Sequence, residues 1–531
     1  MIAPIVLPLF AAAIMLALGG EQRRNVSAAL SIVTTFALVA ISIILLRAAD
    51  VAPTGVAGVY RLGGWPAPFA IVLVVDRLAT LMLLLTSLLA AAAAVFSLAR
   101  WHRAGVLFHP LFQLLLMGID GAFLTGDLFN LFVFVEVLLA ASYGLALHGS
   151  GTARVKAGLH YVVVNLAASL LFLIGVSLIY GVTGTLNMAD LATRIPAVSA
   201  ANRGLLEAGA GILGIAFLVK AGMWPLCFWL PSTYAAAPPP VAAIFAVLTK
   251  VGAYLVLRLS LLLFSDDAGA SAQFGDQLLL LGGMATVTFG AIGSLASQDM
   301  ARLAAFSVLV SSGTILAAIG LEQVSVTGAA LFYLISSTLG LGAFFLLIEL
   351  VERGREPGAD VLAVTRELYG DEDDSEILPE TGIAIPATIG ILGVAFIGCA
   401  VVISGLPPLS GFVAKFAILT ATLHSPIGVL SPATWIFLFL LIVSGLAALI
   451  AMTRAGIRSF WVSPERTIPR VRLIEMAPVA ALLLLCAVQT VKAGPVMRFM
   501  QATAQSLHAP HHYVRGVLDS PIKPDHSRGP T

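Results

Sequence analysis

Runs of about 20 apolar residues recur along the chain with only short polar gaps between them. They lie near 2–19, 27–47, 71–98, 107–125, 128–147, 158–181, 207–230, 240–264, 276–296, 302–321, 327–350, 384–404 continuing to 424, 433–453 and 473–493. Each is long enough to cross the hydrocarbon of a bilayer as a helix. Backbone N–H and C=O groups cannot go unpaired in lipid, so only helices or closed barrels can span it. The ten-residue alternation of a barrel is absent. The chain is therefore predicted to be an all-α polytopic membrane protein with about 14 transmembrane helices. Its composition agrees, with 59% hydrophobic and 11% charged residues and a mean hydropathy of +1.00. A net charge of +1 leaves no basic field for nucleic acid. The first run lacks a basic start and a small-residue cleavage pattern, so it reads as the first span.

The pattern divides the chain into helices 1–11 over 1–351, an acidic loop over 352–380 containing "DEDDSE", helices 12–14 over 381–495, and a polar tail over 496–531. The tail carries His508, His511, His512 and His526 and reads as a solvated terminus rather than a metal site. Cys227, Cys399 and Cys486 lie far apart in apolar runs, without ligand spacing, and read as small hydrophobes. Loops after odd-numbered spans hold about 15 basic residues, among them Arg23, Arg24, Arg100, Arg103, Arg154 and the run Arg454 to Arg472. Loops after even-numbered spans hold about 6: Arg47, Arg61, Arg77, Arg194, Arg203 and Arg258. Positive charge stays inside, so the odd loops and the acidic loop are expected in the cytoplasm and both termini outside.

Lysine is used differently from arginine. Six lysines stand against 23 arginines, and three of them, Lys220, Lys250 and Lys415, fall inside apolar runs. Arginine stays protonated in proteins, whereas a desolvated lysine can exchange its proton. Lysines in a row can thus pass protons where arginines would only hold charge. Glu136, midway along the fifth span in "LFNLFVFVEVLLAASYGL", supplies a carboxylate where an unpaired one is costly.

The lysines sit beside helix breakers. In "FLVKAGMWPLCFWLP", Pro225 lacks an N–H, which frees the carbonyl of Ala221 next to Lys220. In "ISGLPPLSGFVAKFAIL", Pro407 and Pro408 break the twelfth span ahead of Lys415. Irregular backbone at membrane depth is tolerated where it lines a cavity or is buried in protein. Two broken helices five spans apart point to two inverted repeats with an ion path near the midplane. Phe129, Phe132, Phe134, Trp224, Phe228 and Trp229 read as lipid-facing or packing residues, and no glycine run forms a phosphate loop.

The stretches "DLFNLFVFVEVLLAASYGL", "LVKAGMWPLCFWLP", "AAAPPPVAAIFAVLTKVGAYLVLR" and "GLPPLSGFVAKF" together resemble a family. It comprises the antiporter-type membrane subunits shared by respiratory complex I, membrane-bound hydrogenases and the multisubunit cation/proton antiporters of the Mrp (Pha) type, and the likeness is greatest to the D-type branch of the Mrp antiporters. The resemblance implies a complex with other membrane subunits in a prokaryotic cell membrane. It further implies a Glu136–Lys220 pair, a central Lys250, and Lys415 in the second half of the path. Ser311, Ser336 and Ser337 stand where many relatives carry histidines; serines hold water but do not titrate near neutral pH. Asp299 and Arg302 in "SQDMARLAAFS" match a family loop and read as a structural pair at a helix start.

The expected function is the proton-translocating subunit of a monovalent cation (Na+ or K+)/proton antiporter, with no cofactor and no covalent chemistry. The alternative is a proton-pumping membrane subunit of a quinone- or hydrogen-linked oxidoreductase, and associated flavin or iron–sulfur absorbance would separate the two.

Overall fold

The computed structural model describes residues 1–19, 21–353, 387–424, 431–460 and 470–519; from residue 354 onward the acidic loop lies outside them. The described chain is almost entirely helical. In order the helices are α1 (Ala3–Leu18), α2 (Arg24–Val51), α3 (Arg77–Ser97), α4 (Phe108–Leu124), α5 (Leu128–Ala146), α6 (Thr152–Thr183), α7 (Met188–Arg194), α8 (Ala200–Ala221), α9 (Trp229–Ala236) and α10 (Pro239–Leu263). There follow α11 (Asp276–Ala296), α12 (Met300–Ile319), α13 (Val324–Glu352), α14 (Ala387–Ser404), α15 (Ser410–Leu423), α16 (Pro432–Phe460), α17 (Leu473–Val491), α18 (Ala493–Leu507) and α19 (Pro510–Leu518). Among the described residues, 12 helices are long and apolar enough to cross a membrane, and α1, α4 and α15 are shorter apolar helices. With α1 and α4 as crossings and α15 as the second half of α14, these are the fourteen spans read from the sequence.

α10, α12 and α13 form the inside of the bundle, buried over most of their length. α6 and α16 instead expose Leu159, Leu166, Leu170, Trp435, Phe439 and Ile442. Lipid tails are as apolar as leucine, so these side chains are stable facing outward.

Two features of the sequence recur five spans apart. Asp127 caps α5 by accepting from the N–H groups of Phe129 and Asn130, both at 2.9 Å, and Asp299 caps α12 by accepting from Ala301 N–H at 3.0 Å. Asp299 therefore serves the backbone at its helix start, where a pair with Arg302 was expected. "AGMWPL" at 221–226 and "SGLPPL" at 404–409 form the two breaks, and the Trp224–Pro225 and Pro407–Pro408 bonds are both cis. An odd number of crossings between matching parts makes the repeats inverted.

Four further expectations change. The third span begins at Arg77 rather than 71, because Val72–Asp76 is a β-strand paired antiparallel with Val56–Arg61. The β-branched run "VLVVD" is extended and fully buried there. Arg258, counted with the loops, lies buried inside α10. The stretch expected as a solvated tail folds through residue 518 as α18 and α19. Met500, Thr503, Ala504 and Leu507 fall on one buried face at helical spacing. Gln501 Nε2 donates to Ser325 O at 3.2 Å, and His508 is hydrogen-bonded to the Thr327 hydroxyl at 3.0 Å. Finally, Pro225 does not break a helix from within. The chain has already turned at Gly222, and the proline sits in the connecting turn.

Candidate functional site

The first break is a glycine-terminated helix end. Gly222 has φ +72; Met223 N–H reaches back to Leu218 O (3.0 Å) and Gly222 N–H to Val219 O (3.2 Å). This pairing closes the end of α8 with a left-handed residue that glycine adopts without cost. It leaves the carbonyl of Ala221 unpaired by helix backbone, as the sequence leads one to expect. The hydroxyl of Ser312 on α12 donates to that carbonyl. α10 crosses at the same point: a Cβ on Gly252 would stand 2.4 Å from the Ala221 nitrogen. A glycine here lets two backbones touch, and it brings the Lys220 and Lys250 segments to one junction.

Lys250 is 0% exposed. Its ammonium donates to Ser311 Oγ at 2.8 Å, and Ser311 Oγ donates to Ser337 Oγ of α13 at 2.8 Å. Consecutive serines on α12 thus serve both elements: Ser312 holds the broken end of α8, Ser311 holds the lysine of α10. The adjacent Ser336 hydroxyl is hydrogen-bonded to that of Ser410, the first residue of α15, at 2.7 Å. Ser311, Ser336 and Ser337, with Ser294, Ser307 and Tyr333, line a cavity of about 20 Å³. A water needs roughly 10–15 Å³ of such space and two to four polar partners, so this cavity can hold one.

At the second break the chain turns at Gly405, φ +79, with Leu406 N–H on Val401 O at 3.0 Å. The carbonyl of Ser404, which matches Ala221 in the repeat, accepts from Lys415 Nζ at 3.0 Å. Gly411 and Gly445 give the room: a Cβ on Gly411 would stand 2.0 Å from Val402 O, and one on Gly445 3.1 Å from Lys415 Nζ. Pro407 and Pro408 lie in the connection, as Pro225 does.

Lys220 is the outlier. It is 6% exposed, and its Nζ has no hydrogen-bond partner among the described residues. Glu136, half-buried on α5, accepts from the Ser169 hydroxyl of α6. Its charge acts on Lys220, but no direct ion pair joins them.

Ser169, Ser312, Ser404 and Ser410 were missed from sequence. A hydroxyl in an apolar helix is ordinarily satisfied by its own i−4 carbonyl, as Thr314 is by Val310, so nothing in the sequence marks those that reach another helix. The aromatics divide as expected: Phe129 and Phe228 are exposed, while Trp229 is buried and stacks on Tyr161 at 5.1 Å. Among the described residues no cluster of three or more His, Cys, Asp or Glu could hold a metal ion.

Residues 125–444 match the family described as "NADH:quinone oxidoreductase/Mrp antiporter, TM". The chain is 60% identical over 528 residues, 98% of both sequences, to a protein of Rhizobium meliloti named as the D component of a probable K(+)/H(+) antiporter. It is 32% identical over 494 residues to the D component of the Na(+)/H(+) antiporter of Alkalihalophilus pseudofirmus, covering 92% of this chain and 94% of the relative. Its fold is similar to a chain in the structure of the Mrp complex from Dietzia sp. DQ12-45-1b, with a TM-score of 0.81 and 25% identity over 97% of this chain and 98% of that one.

Proposed function

The chain belongs to the NADH:quinone oxidoreductase/Mrp antiporter family of membrane proteins, and from that premise we propose that it is the proton-translocating, D-type component of a multisubunit monovalent cation/proton antiporter. It works beside other membrane subunits in a prokaryotic cell membrane, with both termini outside the cytoplasm. The relative at 60% identity bears a potassium name, so K+ is the first cation to test.

Protons pass through Glu136, Lys220, Lys250 and Lys415. The observation that carries this reading is the buried polar series from Lys250 through Ser311 and Ser337, past a water-sized cavity, to Ser336 and Ser410 at the second break. Hydroxyls and a water relay a proton by accepting one and donating another, so serines can stand where relatives carry histidines. Glu136 and Lys220 act as the switch: when they approach, each stabilises the other's charge; when they part, the lysine holds an uncompensated proton in a dry site and passes it to the Lys250 junction.

The test is cation-driven collapse of a pH gradient in inverted vesicles carrying the whole complex, with and without Lys220→Ala. Collapse by K+ in the wild type and its loss in an equally assembled variant is the expected result. A variant that behaves as wild type removes Lys220 from the path. A wild type that responds to neither K+ nor Na+ refutes the antiporter reading.

A further inference from the structure

A second polar series, which the path above does not use, begins one helical step along α10 from Lys250, whose own ammonium is held by Ser311. One and two helical steps of four residues along α10 come Tyr254 and Arg258, both buried. Side chains at i, i+4 and i+8 lie on one gently turning stripe. Tyr254 donates its hydroxyl to Phe123 O at 2.7 Å and accepts from Arg258 Nη2 at 3.4 Å. Arg258 makes a two-pronged pair with Asp76: Nη2 donates to Oδ1 at 2.8 Å, and Nη1 donates to Oδ2. Asp76 is buried too and also caps α3, accepting from Ala79 N–H at 2.8 Å. The series ends at a small cavity of about 20 Å³ bordered by Asp76, Arg258, Gly55, Ser506 and Tyr513. Tyr513 of α19 forms one wall of it, with the Arg258 guanidinium 5.2 Å from its ring centre.

We propose that this series is the outward limb of the proton path, with Asp76 as its terminal proton acceptor beside the cavity that Tyr513 helps to line. The inference rests on the antiporter reading and on the orientation proposed with it. The step balances without any other reactant. The Lys250 ammonium releases a proton and becomes a neutral amine. The Tyr254 hydroxyl must turn from Phe123 O toward the pair; it accepts that proton on its oxygen as its own passes to the Asp76 carboxylate, which becomes a neutral acid, and cavity water then removes the proton and restores the carboxylate. Arg258 keeps its charge throughout and holds the carboxylate in place. A merely structural role explains the placement poorly. A buried ion pair is an expensive clamp, often no better than apolar packing of the same volume. Here it stands where the stripe from Lys250 meets a cavity that can take a water.

Asp76→Asn keeps the helix cap, because asparagine caps about as well as aspartate, and removes the proton acceptor together with the charge that pairs Arg258, so it is read beside a variant that leaves the pair intact. In inverted vesicles with wild-type amounts of complex, Asp76→Asn is expected to lower maximal antiport at least tenfold and leave the KM for the cation within twofold. Ser506→Leu, which fills the cavity without removing a member of the series, is expected to do the same. It decides the matter if Asp76→Asn fails to assemble. Wild-type maximal antiport in either assembled variant overturns the proposal. Absence of cation-driven flux in the wild type would instead refute the function proposed above.

Discussion

Ser311→Ala is the sharpest test of the proposed serine relay. Lys250 is 0% exposed, and the one hydrogen bond its ammonium makes among the described residues is to Ser311 Oγ. Removing the acceptor leaves a charged donor without its partner in a dry site. A hydrogen bond to a charged group contributes about 1.5–3 kcal/mol. At ~1.36 kcal/mol per factor of ten, the protonated state of Lys250 is lost as a relay intermediate by a factor of roughly 10 to 150. Ser312→Ala, one residue on, removes instead a hydroxyl that donates to a neutral carbonyl, worth about 0.5–1.5 kcal/mol, and is expected to cost no more than roughly tenfold. Ser311→Thr keeps the hydroxyl and should retain most of the activity. The assay is the initial rate of K+-driven pH-gradient collapse, normalised to the amount of assembled complex. The reasoning is refuted if Ser311→Ala runs within twofold of wild type, or if Ser312→Ala is the more damaging change.

Four further outcomes follow from the structure. Burial first, and then Asp276 and Asp266 beside it, push the Glu322 carboxyl up to about 8; the folded protein then keeps a proton that the unfolded chain releases from about pH 4.5, so stability falls as pH rises through this window. Glu322→Gln should flatten that fall in thermal-unfolding scans from pH 5 to 8. Burial lowers His508 to about 4, a depressed base, so stability is lost as pH falls from 6.5 toward 4; protease cleavage between α18 and α19 should increase over that range. Gly222→Ala places a side chain at φ +72, with its Cβ 3.0 Å from Leu230 and 3.1 Å from Leu309; about 1–2 kcal/mol of strain should appear as a lower melting temperature. Gly252→Leu must push α10 off α8, because even its Cβ would stand 2.4 Å from backbone. It should abolish antiport while Gly204→Leu, with open space at its Cβ, does not.

Much of this molecule was legible from residue type and spacing. Apolar runs of bilayer length without the alternation of a barrel leave the backbone to span as helix, and so the spans, their number and the breaks at "AGMWPL" and "SGLPPL" could be placed in advance. The three intramembrane lysines and Glu136 stood out for the same reason, since charge in an apolar run is costly. What failed was local in another sense. The strand at Val72–Asp76 is as apolar as a span, and only its pairing with Val56–Arg61 makes it extended. The amphipathic faces of α18 and α19 are diluted in a polar average, and their docking on α13 and the hairpin shows only in three dimensions.

The sequence by itself determined which groups are present at membrane depth; tertiary structure alone decided which of them meet. Whether a serine closes onto its own helix or reaches across depends on how closely two helices approach, and that is set by glycines such as Gly252, Gly411 and Gly445 on facing surfaces. Hence Ser311 holds Lys250 and Ser312 the end of α8, Ser404 offers its carbonyl to Lys415, and Arg258 finds Asp76 across 182 residues of chain. Hydrogen bonds act over about 3 Å, so these partnerships exist only once the bundle has closed.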